Sequence, residues 1–265
     1  MRGCIMIGMD LELNATRTLV FGAANGIGLA IARQFAAEGA SVTGFDAASE
    51  PDPFGELGDI VSGDVTDFDA VRGFVAQVEV VDHVVYSVGV GSGRFGFPFW
   101  NLEPKDWRRV LDVNLIGAVN VAHACAPRLI ERGSGSMLFL VSVAGQIGSQ
   151  TDPPYSAAKA GLINFVQCAA KDLAPHNVRV NALAPGMVKS DLNRSVWAAA
   201  QANLPEAERV SYEEWGREKV GKVAPLGRWQ QPEEMAAMAA FLASKHAANI
   251  TGQTINIDGG QVMHS

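Results

Sequence analysis

Short apolar runs and helix-length amphipathic runs alternate along almost the whole chain, and few folds accept that rhythm. RTLVFG (17–22) precedes GIGLAIARQFAAEG (26–39), then come SVTGFD (41–46) and DIVSGD (59–64). DHVVYSVG (82–89) leads into a helical pattern near 104–132, and SMLFLVS (136–142) into YSAAKAGLINFVQCAAKDLA (155–174). VRVNALAPG (178–186) and QTINID (253–258) complete seven expected strands. Parallel strands need long crossovers, and those crossovers cover the sheet, so the pattern implies helices on both faces. The near-continuous apolar character of HVVYSV and MLFLV suits strands buried on both sides. The expectation is a doubly wound α/β fold, a seven-stranded parallel sheet in a single domain over 1–265. Residues 1–14 read as an extension, and the polar, Trp-containing stretch 188–224 as an insertion placed like a lid over one edge.

Composition narrows the function classes. A formal net charge of -7, with no basic run, argues against a nucleic-acid partner. Cys4, Cys125 and Cys168 are odd in number and far apart, which favours reduced thiols in a cytoplasmic protein. No Cys or His pair has ligand spacing, so no metal is expected, and His83 and His123 read as packing or capping residues. The opening MRGCIMIGM is too short in its apolar part for a signal peptide, and no apolar run approaches a membrane span.

FGAANGIGLAIA sets Gly22, Gly26 and Gly28 between the first strand and the first helix. Glycines there let the backbone approach a pyrophosphate, whose charge is met by free N–H groups and the helix dipole. Asp46 ends the second strand, eighteen residues beyond Gly28. A carboxylate there accepts from adenosine ribose hydroxyls and repels a 2′-phosphate, and no Arg or Lys stands near to receive one. NAD is therefore expected over NADP.

These glycines, GDV at 63–65, Asn114 in DVNLIGA, Ser142 in LVSVAG, YSAAK, NALAPG and ITGQTINIDGG occur in one order. Together they resemble the short-chain dehydrogenase/reductase family in its compact single-domain Rossmann form, from about residue 15 to the C-terminus. The resemblance implies cofactor contacts at Gly22, Asn25, Gly26, Ile27, Gly28, Asp46, Asp64, Val65, Gly89, Tyr155, Lys159, Pro185, Gly186 and Val188, with Asp64 on the adenine. It implies that Ser142 orients the substrate oxygen, Asn114 holds a proton-relay water, Tyr155 is the general acid/base, and Lys159 binds ribose. Two departures stand out. Phe21 replaces the usual Thr before the first glycine, and YSVG (86–89) replaces Asn-Asn-Ala-Gly; both remove polar groups that commonly brace the first and fourth strands.

Free tyrosine titrates near 10, so a tyrosine base at neutral pH needs help. Tyr155 and Lys159 are four apart and share a helix face, and a nearby ammonium together with a positively charged oxidised nicotinamide favours the phenolate. For the substrate, GSGRFGFPFW (91–100) follows the fourth strand. Arg94, Phe95, Phe97, Phe99, Trp100, Gln146, Ser149, Gln150, Trp197 and Trp215 are the candidates around a small-molecule secondary alcohol or ketone of cyclic, sugar or polyol type. The alternatives are a 3-oxoacyl-thioester reductase, disfavoured by Asp46 and the acidic balance, and a non-catalytic dinucleotide sensor. The resemblance also implies a homotetramer.

Overall fold

The computed structural model describes residues 9–48, 58–94, 98–149, 151–202 and 204–263. Seven parallel strands form one sheet: β1 (Arg17–Phe21), β2 (Ser41–Asp46), β3 (Ile60–Ser62), β4 (His83–Tyr86), β5 (Gly135–Leu140), β6 (Val178–Pro185) and β7 (Thr254–Ile257), in the order β3-β2-β1-β4-β5-β6-β7. The helices are α1 (Gly26–Ala37), α2 (Phe68–Ala76), α3 (Pro104–Leu111), α4 (Gly117–Arg132), α5 (Pro153–Leu173), α6 (Asp191–Ala202), α7 (Tyr212–Val223) and α8 (Pro232–Ala243). Strand order reverses between β1 and β4. That switch opens a crevice at the carboxyl ends of the strands, where sheets of this kind bind ligands.

Side chains alternate across each strand with period two, and the two faces hold two separate cores. Leu19, Phe21, Val84, Tyr86 and Phe139 face α2, α4 and α5. Val20, Val85, Leu138 and Leu183 face α1 and α8. Alanines in α8 allow close approach to α1: Ala236, Ala239 and Ala240 are all buried.

Three expectations change here. Leu13 is 2% exposed within the α1–α8 core, and His246 bonds the carbonyl of Asp10 at 2.8 Å, so residues 9–14 belong to the domain rather than extend from it. The 104–132 stretch is helical throughout but widens into a π turn at Asp112–Ile116. By length and composition the same 29-residue stretch is apolar enough to cross a membrane, against the expectation of no such run. Its apolar residues have another use: Val110, Ala118, Val121 and Leu129 pack under the sheet. Buried His83 bonds Ser136 at 2.9 Å, and burial lowers its pKa to about 4, so it is a neutral packing residue.

Candidate active site

The chain turns from β1 into α1 through Gly22 and Gly26, both at positive φ (84° and 54°). A Cβ on Gly28 would fall 1.9 Å from the Gly22 carbonyl oxygen, so only glycine closes this turn. Asn25 precedes α1 with extended backbone and gives no side-chain cap, which leaves the first helical N–H groups of Gly26, Ile27 and Gly28 for an anion. A Cβ on Gly26 would meet nothing within 4 Å, so the turn borders open space. Asp46 holds this turn directly, accepting from Ala24 N and Ala48 N at 2.9 Å each. Asp64 accepts from Thr66 N at 2.8 Å, and Val65 is buried beside Gly117. These residues fit a dinucleotide: they offer backbone donors for phosphates at one end and carboxylate acceptors for hydroxyls at the other.

Beyond the turn lies the second half of the site. Asn114 sits in the π turn, fully buried, and its Nδ2 donates to Val90 O and Val110 O at 2.8 Å each. The widened turn frees backbone carbonyls, and side chains answer them. The Tyr86 hydroxyl donates to the next freed carbonyl, Val113 O. Asn114 Oδ1 has no partner among the described residues, and a Cβ on Gly89 would lie 3.3 Å from it and 3.7 Å from Lys159 Nζ. The pair therefore borders a small polar hollow, where a bridging water fits the donors and acceptors present.

Lys159 and Tyr155 lie one turn apart on α5. Lys159 Nζ donates to Leu140 O at 2.8 Å and lies 5.5 Å from the Tyr155 ring centroid. The Ser142 hydroxyl lies close enough to the Tyr155 phenol to lower its pKa, and Ala144 N donates to Ser142 Oγ at 3.1 Å. The phenolate expectation rests on Lys159 together with an oxidised nicotinamide, and the structure places Lys159 beside the ring. Burial is the largest influence on Tyr155 and pushes its pKa up to about 12, against the lowering by Ser142. Burial also pulls Lys159 down to about 7. Desolvation thus acts against the phenolate, and the Ser142 hydroxyl acts for it.

Tyr155 and Ser142 open onto a cavity of about 310 Å³. Gly186 and Met187, after β6, form one side; Leu192, Val196 and Val223 of α6 and α7 form the roof; Arg94, Ser149 and Asp152 stand at the rim. The 188–224 segment thus lies over the cavity. Pro185 ends β6, and buried Val188 pairs with Gln230 through the backbone. Of the substrate candidates, Arg94 and Ser149 line the cavity, whereas Phe99 lines a neighbouring hollow, Trp215 packs against Tyr212, and Gln146, Trp100 and Trp197 also lie elsewhere. Gln146 exchanges two hydrogen bonds with Asn256, 2.7 and 2.9 Å, which occupies its amide. Trp100 is 71% exposed and lines a neighbouring hollow on the outer side of α5. Trp197 turns to Tyr212 and donates to Val210 O at 3.1 Å. Gln150, Phe95 and Phe97 lie outside the described residues. Sequence reasoning missed Asp152, Lys219 and Gln261 on the cavity wall, because no motif spacing connects these three positions.

A family model described as enoyl-(acyl carrier protein) reductase matches residues 22–262. The chain belongs to the short-chain dehydrogenase/reductase family. It is similar to a 3-oxoacyl-[acyl-carrier-protein] reductase of Thermotoga maritima, 34% identical and covering 96% of this chain and 100% of the relative. Among solved structures it resembles the ligand-free aldohexose dehydrogenase of Thermoplasma acidophilum, with a TM-score of 0.84, 28% identity and 96% of each chain covered. It also resembles a gluconate 5-dehydrogenase of Burkholderia cenocepacia solved with NADP and tartrate, with a TM-score of 0.81, 31% identity, and 95% and 97% covered. As a short-chain dehydrogenase/reductase it is an oxidoreductase acting on CH–OH groups with a nicotinamide cofactor.

Proposed function

We propose that this short-chain dehydrogenase/reductase moves hydride between nicotinamide and a small secondary alcohol or its ketone, of sugar or polyol type. The observation that carries the reading is the Ser142–Tyr155 hydroxyl pair, backed by the Lys159 amine, at the head of a cavity roofed by α6 and α7. When bound, the cofactor supplies or accepts the hydride. Ser142 donates to the substrate oxygen and orients it. Tyr155 as phenol gives its proton to the forming alkoxide in reduction; in oxidation the phenolate, which Lys159 and an oxidised nicotinamide would favour, takes the proton of the alcohol. Lys159 stands ready for ribose hydroxyls, and Asn114 Oδ1 with Lys159 Nζ frames the path by which the proton is replaced.

NAD remains our reading of the cofactor, supported by Asp46 at the end of β2 and by the lack of a cation in Ala23–Gly26. The relative solved with NADP makes the comparison worth measuring. A 3-oxoacyl-thioester reductase is the second reading, favoured by the 34% identical Thermotoga relative of full length. Reduced cysteines and the acidic balance support a cytoplasmic setting, and the small-residue faces of α4 and α5 support a homotetramer.

The test is nicotinamide absorbance with a panel of sugars, polyols and acetoacetyl-CoA, each with NAD(H) and NADP(H). Tyr155→Phe should lower kcat/KM by about 10²- to 10⁴-fold without changing the melting temperature. Undiminished turnover in that variant would end the mechanism, and a kcat/KM favouring NADP would end the NAD reading.

A further inference from the structure

The loop after β4 forms one wall of the cavity, and side chains from two other elements hold it. Asn114 Nδ2 donates to Val90 O at 2.8 Å, and Ser92 N donates to Asp152 Oδ2 at 2.7 Å. Gly91 stands between these two anchors. A Cβ there would fall 2.8 Å from Asp152 Oδ2 and 3.9 Å from Leu192 of α6, so the loop backbone lies directly on the carboxylate. The Ser92 hydroxyl closes the next turn by donating to Arg94 O at 3.1 Å. Gly91, Arg94 and Asp152 all line the cavity that Tyr155 heads.

Asp152 immediately precedes α5, and its carbonyl accepts from Ser156 N at 3.0 Å. Pro153 and Pro154 come next and carry no N–H, so the first amide donor of the helix is that of Tyr155. That N–H and Ser92 both favour the carboxylate against the desolvation of its site. The helix dipole favours a negative charge at the same place. One side chain therefore answers both an amide of the cavity wall and the amide of Tyr155.

We propose that Asp152 is a positioning residue, whose carboxylate clamps the 90–94 wall to the first turn of α5 and so sets Tyr155 against Asn114 and the substrate. This rests on the reading of Tyr155 as the acid/base. The contacts run from Asn114 through Val90, Gly91 and Ser92 to Asp152 and the Tyr155 amide, joining the π turn to α5 by way of the cavity wall. A misplacement of about 1 Å in reacting groups is costly in rate, so the clamp acts on kcat more than on cofactor affinity.

Two variants open the clamp from opposite sides. Asp152→Ala removes the carboxylate, and Gly91→Ala, at a residue without positive φ, pushes it away. Hydrogen–deuterium exchange on the whole protein needs no substrate. Amides at 90–94 and at Tyr155 should exchange about tenfold faster in both variants. Turnover is then read on sugars, polyols and acetoacetyl-CoA with NAD(H) and NADP(H). On the best of these, kcat should fall about tenfold in each variant while cofactor Kd stays within about twofold. The double variant should be no slower than the slower single one, because both changes break one contact. Asp152→Asn keeps an acceptor for Ser92 N and should recover most of the loss. The proposal is overturned if either segment exchanges at the wild-type rate, if the two losses multiply, or if Asp152→Asn is as slow as Asp152→Ala. The two readings fail separately. Wild-type kcat in the clamp variants, with turnover lost in Tyr155→Phe, sinks only the clamp. Slowed clamp variants, with turnover surviving Tyr155→Phe, sink only the acid/base.

Discussion

The Gly22–Gly28 turn and the α6–α7 roof meet at one crevice but are built by opposite means. The turn is main chain packed on main chain: a Cβ on Gly22 would lie 2.8 Å from Val88 N, and one on Gly28 1.9 Å from Gly22 O. The roof is held by side chains. Tyr212, Trp215 and Trp229 stack with centroids 5.7 to 6.3 Å apart, over a small cluster of Met187, Val220 and Ala224. Backbone packing accepts one solution, so it serves a ligand that does not vary. An aromatic cluster re-forms around new neighbours, so the roof can change with the substrate while the turn stays fixed.

The sharpest way to break this contrast is Gly28→Ala. The new methyl meets backbone that cannot yield, and a loss of about 3 kcal/mol in denaturant unfolding should accompany loss of cofactor binding; unchanged cofactor affinity would refute rigidity of the turn. Trp229→Ala attacks the roof. It should cost about 2 kcal/mol and raise KM for the substrate several-fold, with cofactor Kd unchanged in calorimetry. If cofactor Kd moves as much as KM, the two regions are not separable.

Tyr86→Phe probes the seam between them. Losing the bond to Val113 O leaves that carbonyl unanswered, at a cost of about 1–2 kcal/mol, and loosens the π turn that carries Asn114. We expect kcat to fall more than substrate or cofactor affinity.

The smallest effects are read in pH. All three tyrosines, Tyr86, Tyr155 and Tyr212, have pKa values raised chiefly by burial. At pH 10, where free tyrosine is half ionised, the cofactor-free protein should show little phenolate absorbance. Lys159 is depressed from 10.5 to about 7. Between those values the unfolded chain binds the extra proton, so stability rises with pH, and the burial cost is full below about 7. Lys159→Met should therefore gain most in melting temperature near pH 7, with the gain shrinking toward pH 10. A gain that grows with pH would contradict the assignment.

Much of this architecture was legible because local signals agreed. SVTGFD became β2 over its full length, the glycine turn fell between strand and helix, and one turn of α5 brought Tyr155 and Lys159 together. The losses have physical causes. The π turn left no mark in a helical pattern, since Asn114 reads as an ordinary polar helix residue until Val90 comes within 2.8 Å. Gln146 and Trp197 looked like substrate residues by position, yet Asn256, far along the chain, and Val210, just beyond α6, claimed their polar groups.

Sequence by itself determined the family, the layered parallel fold and the order of the chemical residues, because these rest on spacing within a few residues of chain. Tertiary structure alone decided the burial of Tyr155 and Lys159, and which residues line the cavity. Desolvation and hydrogen-bond pairing depend on neighbours that sequence distance does not reveal. Asp152, Lys219 and Gln261 come from three separate segments and share a wall only once the sheet has formed.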